Sequence, residues 1–290
     1  MNISVTLIVF QVCVYDRAGL GWSEPAPRLN MSDPGEAAVA RTLGPEATGL
    51  RMVSDLHRLV TFAHPQERPL VLVGAELGGL VARLYSHLHK EDLAHLVMID
   101  PISETLFSDV SNLNDAERTE NPWLGYWYGS VLPSLRLLQV AAMTGLARLG
   151  LIFSLMELPH TPEENRSDLD QAKLKHQLCD PFHIQAVIDE HRNMNESLSQ
   201  LAEVSSSAAF SLSETEVPST VISGAQFDQH LAPGLNRGWS RAVQDVIQGT
   251  GSKHLVISEG DRRGLLTGDL VTQVIAPVIR IVKNWRQQHS

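Results

Sequence analysis

Two hydrophobic periods alternate along the first hundred residues. Short apolar runs lie at residues 9–15, 70–73 and 96–99, and each ends in a turn signal: Asp16-Arg17-Ala18-Gly19, Gly74 and Asp100-Pro101. Such runs predict buried strands. Between them Met52, Leu56, Leu59, Val60 and Ala63 recur at helical spacing, and so do Val81, Leu84, Tyr85 and Leu88. This alternation predicts parallel βαβ units, because parallel neighbours need a long crossover that a helix supplies. Residues 24–48 hold Pro25, Pro27, Pro34, Gly35, Gly44 and Pro45 and read as an exposed loop.

The texture changes at about residue 102. Strand alternation stops, Trp123, Tyr126, Trp127 and Tyr128 cluster, and an apolar stretch covers 131–158. A helix is expected over 183–204, with Ile184, Val187, Ile188, His191, Met194, Leu198 and Leu201 inward. Strand patterns return at 219–223 and 254–258, and a last helix is expected over 270–286. The predicted fold class is α/β: a mainly parallel sheet flanked by helices. Residues 1–101 and 216–290 form the core, and residues 102–215 form a helical insertion. Segments 9–14, 70–73, 96–99, 220–222 and 255–257 are expected in one sheet.

Composition narrows the function. With 290 residues, 43% apolar and 19% charged, the chain can bury a full core and is not disordered. A net charge of −10 argues against nucleic acid as a partner. Cys13 and Cys179 make neither a disulfide framework nor a thiolate zinc site. His160, His176, His183 and His191 lack the i, i+4 spacing of helical metal ligands, and dinucleotide and P-loop signatures are missing, so no cofactor or metal is expected. The apolar start, residues 1–15, is too short for a membrane span and has neither a basic start nor a clear cleavage site. It reads as a buried strand, the other reading being a cleaved or anchoring segment. Asn2, Asn30, Asn165 and Asn195 are glycosylation acceptors only in the secretory pathway. A cytoplasmic placement is favoured and the secretory one stays open.

The candidate chemistry lies in residues 70–80, Leu-Val-Leu-Val-Gly-Ala-Glu-Leu-Gly-Gly-Leu. A short strand, a glycine-pinched turn and a helix make a nucleophile elbow, whose central side chain stands above the sheet. That side chain is Glu76. With 15–23 before it and 96–101 after it, the chain resembles the α/β-hydrolase fold family, the insertion lying where that family places its cap.

The resemblance implies hydrolysis of esters, epoxides, lactones or related bonds by a nucleophile, an acid and a histidine. Glu76 takes the nucleophile position, where most relatives have serine and some have aspartate. It reads either as an unusual carboxylate nucleophile or base, or as a carboxylate favoured by a helix N-terminus. Asp228, after strand 219–223, takes the acid position. The histidine position falls on Arg262 counted from the strand, or on Asp261 counted back from the last helix. After His254, which begins its strand about a strand length away, the chain has no histidine before His289. An arginine stays protonated and does not serve as a general base. The resemblance further implies three strands and an oxyanion loop ahead of residue 15, so the chain reads as an N-terminally shortened variant.

The expected function is therefore a catalytically inactive hydrolase-like protein that binds a small apolar ligand or a protein partner. The alternative is a hydrolase with Glu76 as elbow nucleophile or base, supported by Asp228. A third reading is a truncated isoform with little stable function. The same geometry predicts that Arg262, or Arg263 one register away, pairs with Glu76 or Asp228. The competing arrangement leaves both arginines in solvent.

Overall fold

Four parallel strands align their C-terminal ends along one edge, and that edge carries the candidate site. The computed structural model describes residues 11–27, 29–63, 68–107, 121–155, 168–206, 217–257, 260–267 and 270–289. In chain order the elements are α1 (Pro34–Leu43), α2 (Gly49–Arg58), β1 (Leu70–Ala75), α3 (Leu77–Leu88), β2 (Leu93–Ile99), α4 (Pro122–Tyr126), α5 (Leu132–Met143) and α6 (Leu146–Ile152). They continue with α7 (Asp168–Cys179), α8 (Pro181–Arg192), α9 (Met194–Ser206), β3 (Ser219–Gly224), α10 (Pro233–Thr250), β4 (Lys253–Ile257), α11 (Arg262–Thr267) and α12 (Val271–His289). The sheet order is β1-β2-β3-β4, every pair parallel. Ala75 pairs with Ile99, Ile99 with Ile222, and Gly224 with Ile257, so the turns after all four strands emerge together.

The two-residue period of the strands divides the core. Leu96, Met98 and Val221 face α2, α3, α9 and α10, while Val97, Ile99, Ile222 and Ile257 face Leu265 and Val274 on α11 and α12. In α3, Leu80, Val81, Leu84 and Tyr85 are buried at helical spacing. Fully burying a leucine stabilises by about 2–3 kcal/mol, so Leu84, wholly enclosed, is a main anchor of α3 on the sheet. Arg17 clamps α8 to the segment before α1, donating to Glu190 at 2.6 and 2.8 Å.

Four of the five expected strands are present in one sheet; the first is not. Residues 11–14 carry no strand pairing, and Val12 and Val14 are 74% and 92% exposed. A parallel strand needs a neighbour in register, and none of the described strands lies beside this segment. Residues 9 and 10 lie outside the described ones. The expected loop at 24–48 contains α1, because Pro34 occupies the first helical turn and Asp33 caps it, accepting the Glu36 amide at 2.9 Å. The helix expected over 183–204 is two helices broken at Asn193, whose side chain donates to the Glu46 carbonyl at 2.7 Å. Helix α10 was not expected, although Leu235, Trp239, Ala242, Val243 and Val246 form its buried stripe.

Candidate functional site

The β1–α3 turn is strained at its centre. Glu76 has φ 50° and ψ −112°, a conformation that non-glycine residues rarely adopt. The turn is pinched so tightly that a Cβ on Gly74 would stand 2.2 Å from the Gly78 carbonyl oxygen, so only glycine fits there. Glu76 is held from both sides. Its amide donates to the Ile99 carbonyl at 2.9 Å, and its carbonyl accepts the Gly79 amide at 3.0 Å to begin α3.

Arg262 Nε forms an ion pair with Glu76 Oε1. Burial raises the Glu76 carboxyl above its usual range, and the Arg262 charge opposes that shift. Arg262 is itself positioned by Phe227. Its amide donates to the Phe227 carbonyl at 2.8 Å, and its guanidinium sits 5.3 Å above the Phe227 ring. Phe227 stacks on Trp239 at 3.8 Å, and both meet Trp123 of α4. Trp123 Nε1 donates to the Leu235 carbonyl at 2.8 Å. Trp123, Phe227 and Trp239 thus pack the wall behind the arginine.

Asp100 joins this group, and the sequence reading passed over it as the closing residue of a strand. It is 4% exposed and has φ 42°. Its Oδ2 has no hydrogen-bond partner among the described residues. Burial pushes its carboxyl up to about 7; a backbone hydrogen bond from Gly224 opposes this and the Glu76 charge adds to it. The signal was the Asp-Pro pair directly after an apolar run, a place where the chain leaves the sheet at its ligand-binding edge.

Asp228 is engaged locally. Its Oδ1 accepts the His230 amide at 2.8 Å, and its backbone exchanges hydrogen bonds with the Asn236 side chain at 3.0 and 2.7 Å. Asp261 caps α11, accepting the Gly264 amide at 2.9 Å. The structure therefore brings together Glu76, Arg262 and Asp100; the hydrogen bonds described for Asp228 run to His230 of its own turn and to Asn236 of α10. The side chain of Arg263 lies outside the described ones.

Two histidines lie near the charged group. His191 of α8 stacks on Trp127 and bonds through Nδ1 to the Val187 carbonyl at 2.8 Å. Burial lowers its pKa, and the Arg262 and Arg17 charges contribute to that. His254 bonds through Nε2 to Ser223 Oγ at 2.9 Å, and burial lowers it too. Among the described contacts neither bonds to Glu76 or Asp100. A cavity of about 190 Å³ reaches Asp100, Ser223, Phe227, Trp239 and His254. A larger hollow of about 400 Å³ is an open groove beside α2, walled by Asp55, Arg58, Leu59 and Phe62. Of these two, the smaller reaches the charged group, at Asp100.

Away from the site, His57, His89 and Asp92 hold potential metal-ligand atoms within 4.8 Å of one another. The two imidazoles stack at 3.7 Å and 6°, so their nitrogens do not converge on one point in both ring planes. Asp92 is already engaged by Tyr85 and Arg68. The cluster reads as a polar network.

A comparison with protein families matches the chain to the α/β hydrolase fold over residues 3–226. Among solved structures, the chain is similar to the epoxide hydrolase CorEH, with a TM-score of 0.53, 15% identity and coverage of 93% of this chain and 80% of that one. It is also similar to an α/β hydrolase enzyme from a Medee basin deep-sea metagenome library, with a TM-score of 0.52, 12% identity and coverage of 93% and 78%. At such identities the likeness concerns the fold. No curated protein matches the chain by sequence. A parallel sheet with a strained strand-to-helix turn, matched over most of its length, places this chain in the α/β-hydrolase fold family.

Proposed function

We propose that this protein holds a structural ion pair where its family holds a hydrolytic triad, and that it binds a small, largely apolar ligand without hydrolysing simple esters. The observation that carries this reading is the Arg262–Glu76 pair at the centre of the β1–α3 turn. We read that turn as the family's elbow, Asp228 as standing at its acid position and Arg262 as standing at its histidine position. Acyl transfer needs a nucleophile and a base that accepts its proton. A permanently protonated guanidinium accepts none. The helices between β2 and β3 act as a cap, and the hollow beside Phe227 and Trp239 takes the ligand. The test is a panel of esters, lactones and epoxides on the purified chain. Turnover should equal the buffer rate and stay there in Glu76→Gln.

A second reading has its own observation. Burial pushes the Asp100 carboxyl up to about 7 beside Glu76, which supplies a proton donor next to a carboxylate nucleophile. In an epoxide, Glu76 would attack carbon, the C–O bond would open, and the alkoxide would take the proton of neutral Asp100; water would then cleave the Glu76 ester, its proton passing through the Asp100 carboxylate to the departing alkoxide, to release the diol. The fold likeness to an epoxide hydrolase supports including that substrate. Turnover of an epoxide that vanishes in both Glu76→Gln and Asp100→Asn would replace the first reading with this one.

A further inference from the structure

We propose that the hairpin of α5 and α6 docks on the surface of a lipid bilayer carrying anionic headgroups. The proposal does not depend on the reading of the charged site.

The hairpin turns its apolar residues outward. Leu137, Val140 and Met143 follow one face of α5 and are 71%, 54% and 69% exposed. Leu149 and Ile152 lie three residues apart on α6 and Phe153 directly follows it; they are 49%, 71% and 68% exposed. Single exposed apolar residues are ordinary on a protein surface, whereas a contiguous patch marks a contact. The inward face is already occupied, with Leu132, Ala142 and Ala147 in the core.

Charge identifies the occupant. From Glu120 to Glu157 the intervening chain has no acidic residue, and its only charges are Arg136 and Arg148. Both are exposed, and each directly precedes a residue of the apolar face, Leu137 or Leu149. The whole chain carries −10. An anionic surface therefore repels the molecule as a whole and attracts this hairpin, which fixes the orientation. Arginines beside an apolar face lay their stems on it and reach phosphates with the guanidinium. Two copies meeting through this face would bring their arginines together with no acidic partner.

Composition alone would also allow a crossing, since 122–143 and 146–152 together are apolar enough for a span. The axis bends by 91° between them, and among the described residues no single helix is long and apolar enough to cross. The first arm is also tied down: Trp123 Nε1 donates to the Leu235 carbonyl and Trp127 Nε1 to the His191 carbonyl, at 2.8 and 2.9 Å. Crossing would break both bonds; lying in the interface breaks neither.

Flotation of the full chain with phosphatidylcholine vesicles, with and without phosphatidylserine, tests this. The wild type should float with the phosphatidylserine vesicles. Leu149→Glu/Ile152→Glu/Phe153→Glu should lower the bound fraction roughly tenfold or more. Arg136→Gln and Arg148→Gln should each lower it about fivefold, and only on the anionic vesicles. A fluorophore on Ile152→Cys, in a Cys13→Ser background, should shift to shorter wavelength on adding those vesicles. That readout stands even where the triple variant fails to fold. A wild type that floats with neither vesicle, a labelled position whose emission stays fixed, or a concentration-dependent dimer abolished by the triple variant without flotation would each overturn the proposal.

Discussion

Strand β2 runs between two buried aspartates. Asp92 directly precedes it and Asp100 directly follows it, and each is 4% exposed. Asp92 is satisfied. Tyr85 donates its hydroxyl to Oδ2 at 2.8 Å, Arg68 Nε meets Oδ1 at 2.8 Å, and His57 stands 3.6 Å away. Asp100 leaves Oδ2 without a partner among the described residues, sits at positive φ, and is pushed up to about 7. The same residue type at the same burial thus has opposite roles at the two ends of one strand. Burial of a charge does not mark a functional edge; burial without compensation does. The uncompensated end is also where parallel α/β sheets take their ligands.

Removing each carboxylate should separate the two ends. Asp92→Ala leaves the Tyr85 hydroxyl buried without its acceptor, and should lower stability by about 3 kcal/mol in urea denaturation. Asp100→Asn should raise stability by about 2 kcal/mol at pH 8, since it removes a charge that folding buries at a cost. Equal losses in both variants would break the comparison.

The pH profile sharpens it. Between about pH 4 and pH 7 the folded protein keeps the Asp100 proton that the unfolded chain has released, so the Asp100 contribution to stability falls as pH rises through that window and is level above it. Five histidines with lowered pKa values act in the opposite sense, so the readout is the gap between variant and wild type: Asp100→Asn should gain on the wild type as pH rises from about 5.5 to 8. The smallest effect belongs to Arg262→Ala. The guanidinium is 47% exposed and so screened, although Glu76 is only 19% exposed. The expected loss is about 1 kcal/mol, read from the denaturation midpoint.

The sheet was legible because its strands are short, β-branched and bounded by Gly or Asp-Pro, and periodicity locates such segments well. Residues 11–14 show the same pattern and are no strand, because apolar sequence does not supply a neighbour. Pro34 was read as a breaker, yet it starts α1 behind the Asp33 cap. At the site, Glu76 was found from the glycine spacing and Arg262 from counting beyond β4. Asp100 was missed because its character comes from the lost solvent around it and from its unfilled oxygen, neither of which is written in a one-residue window. Asp228 was read from its place after β3; the hydrogen bonds described for it run to His230 of the same turn and Asn236 of α10, contacts that a strand-counting argument does not anticipate.

A double-mutant cycle measures the pairing of Glu76 with Arg262 directly. Glu76→Gln, Arg262→Gln and the double variant should be denatured in urea at pH 8, above the Asp100 titration. A coupling of about 1 kcal/mol between the two positions is the predicted result. Additive effects, with no coupling beyond error, would contradict the ion pair and with it the reading of this turn as structural.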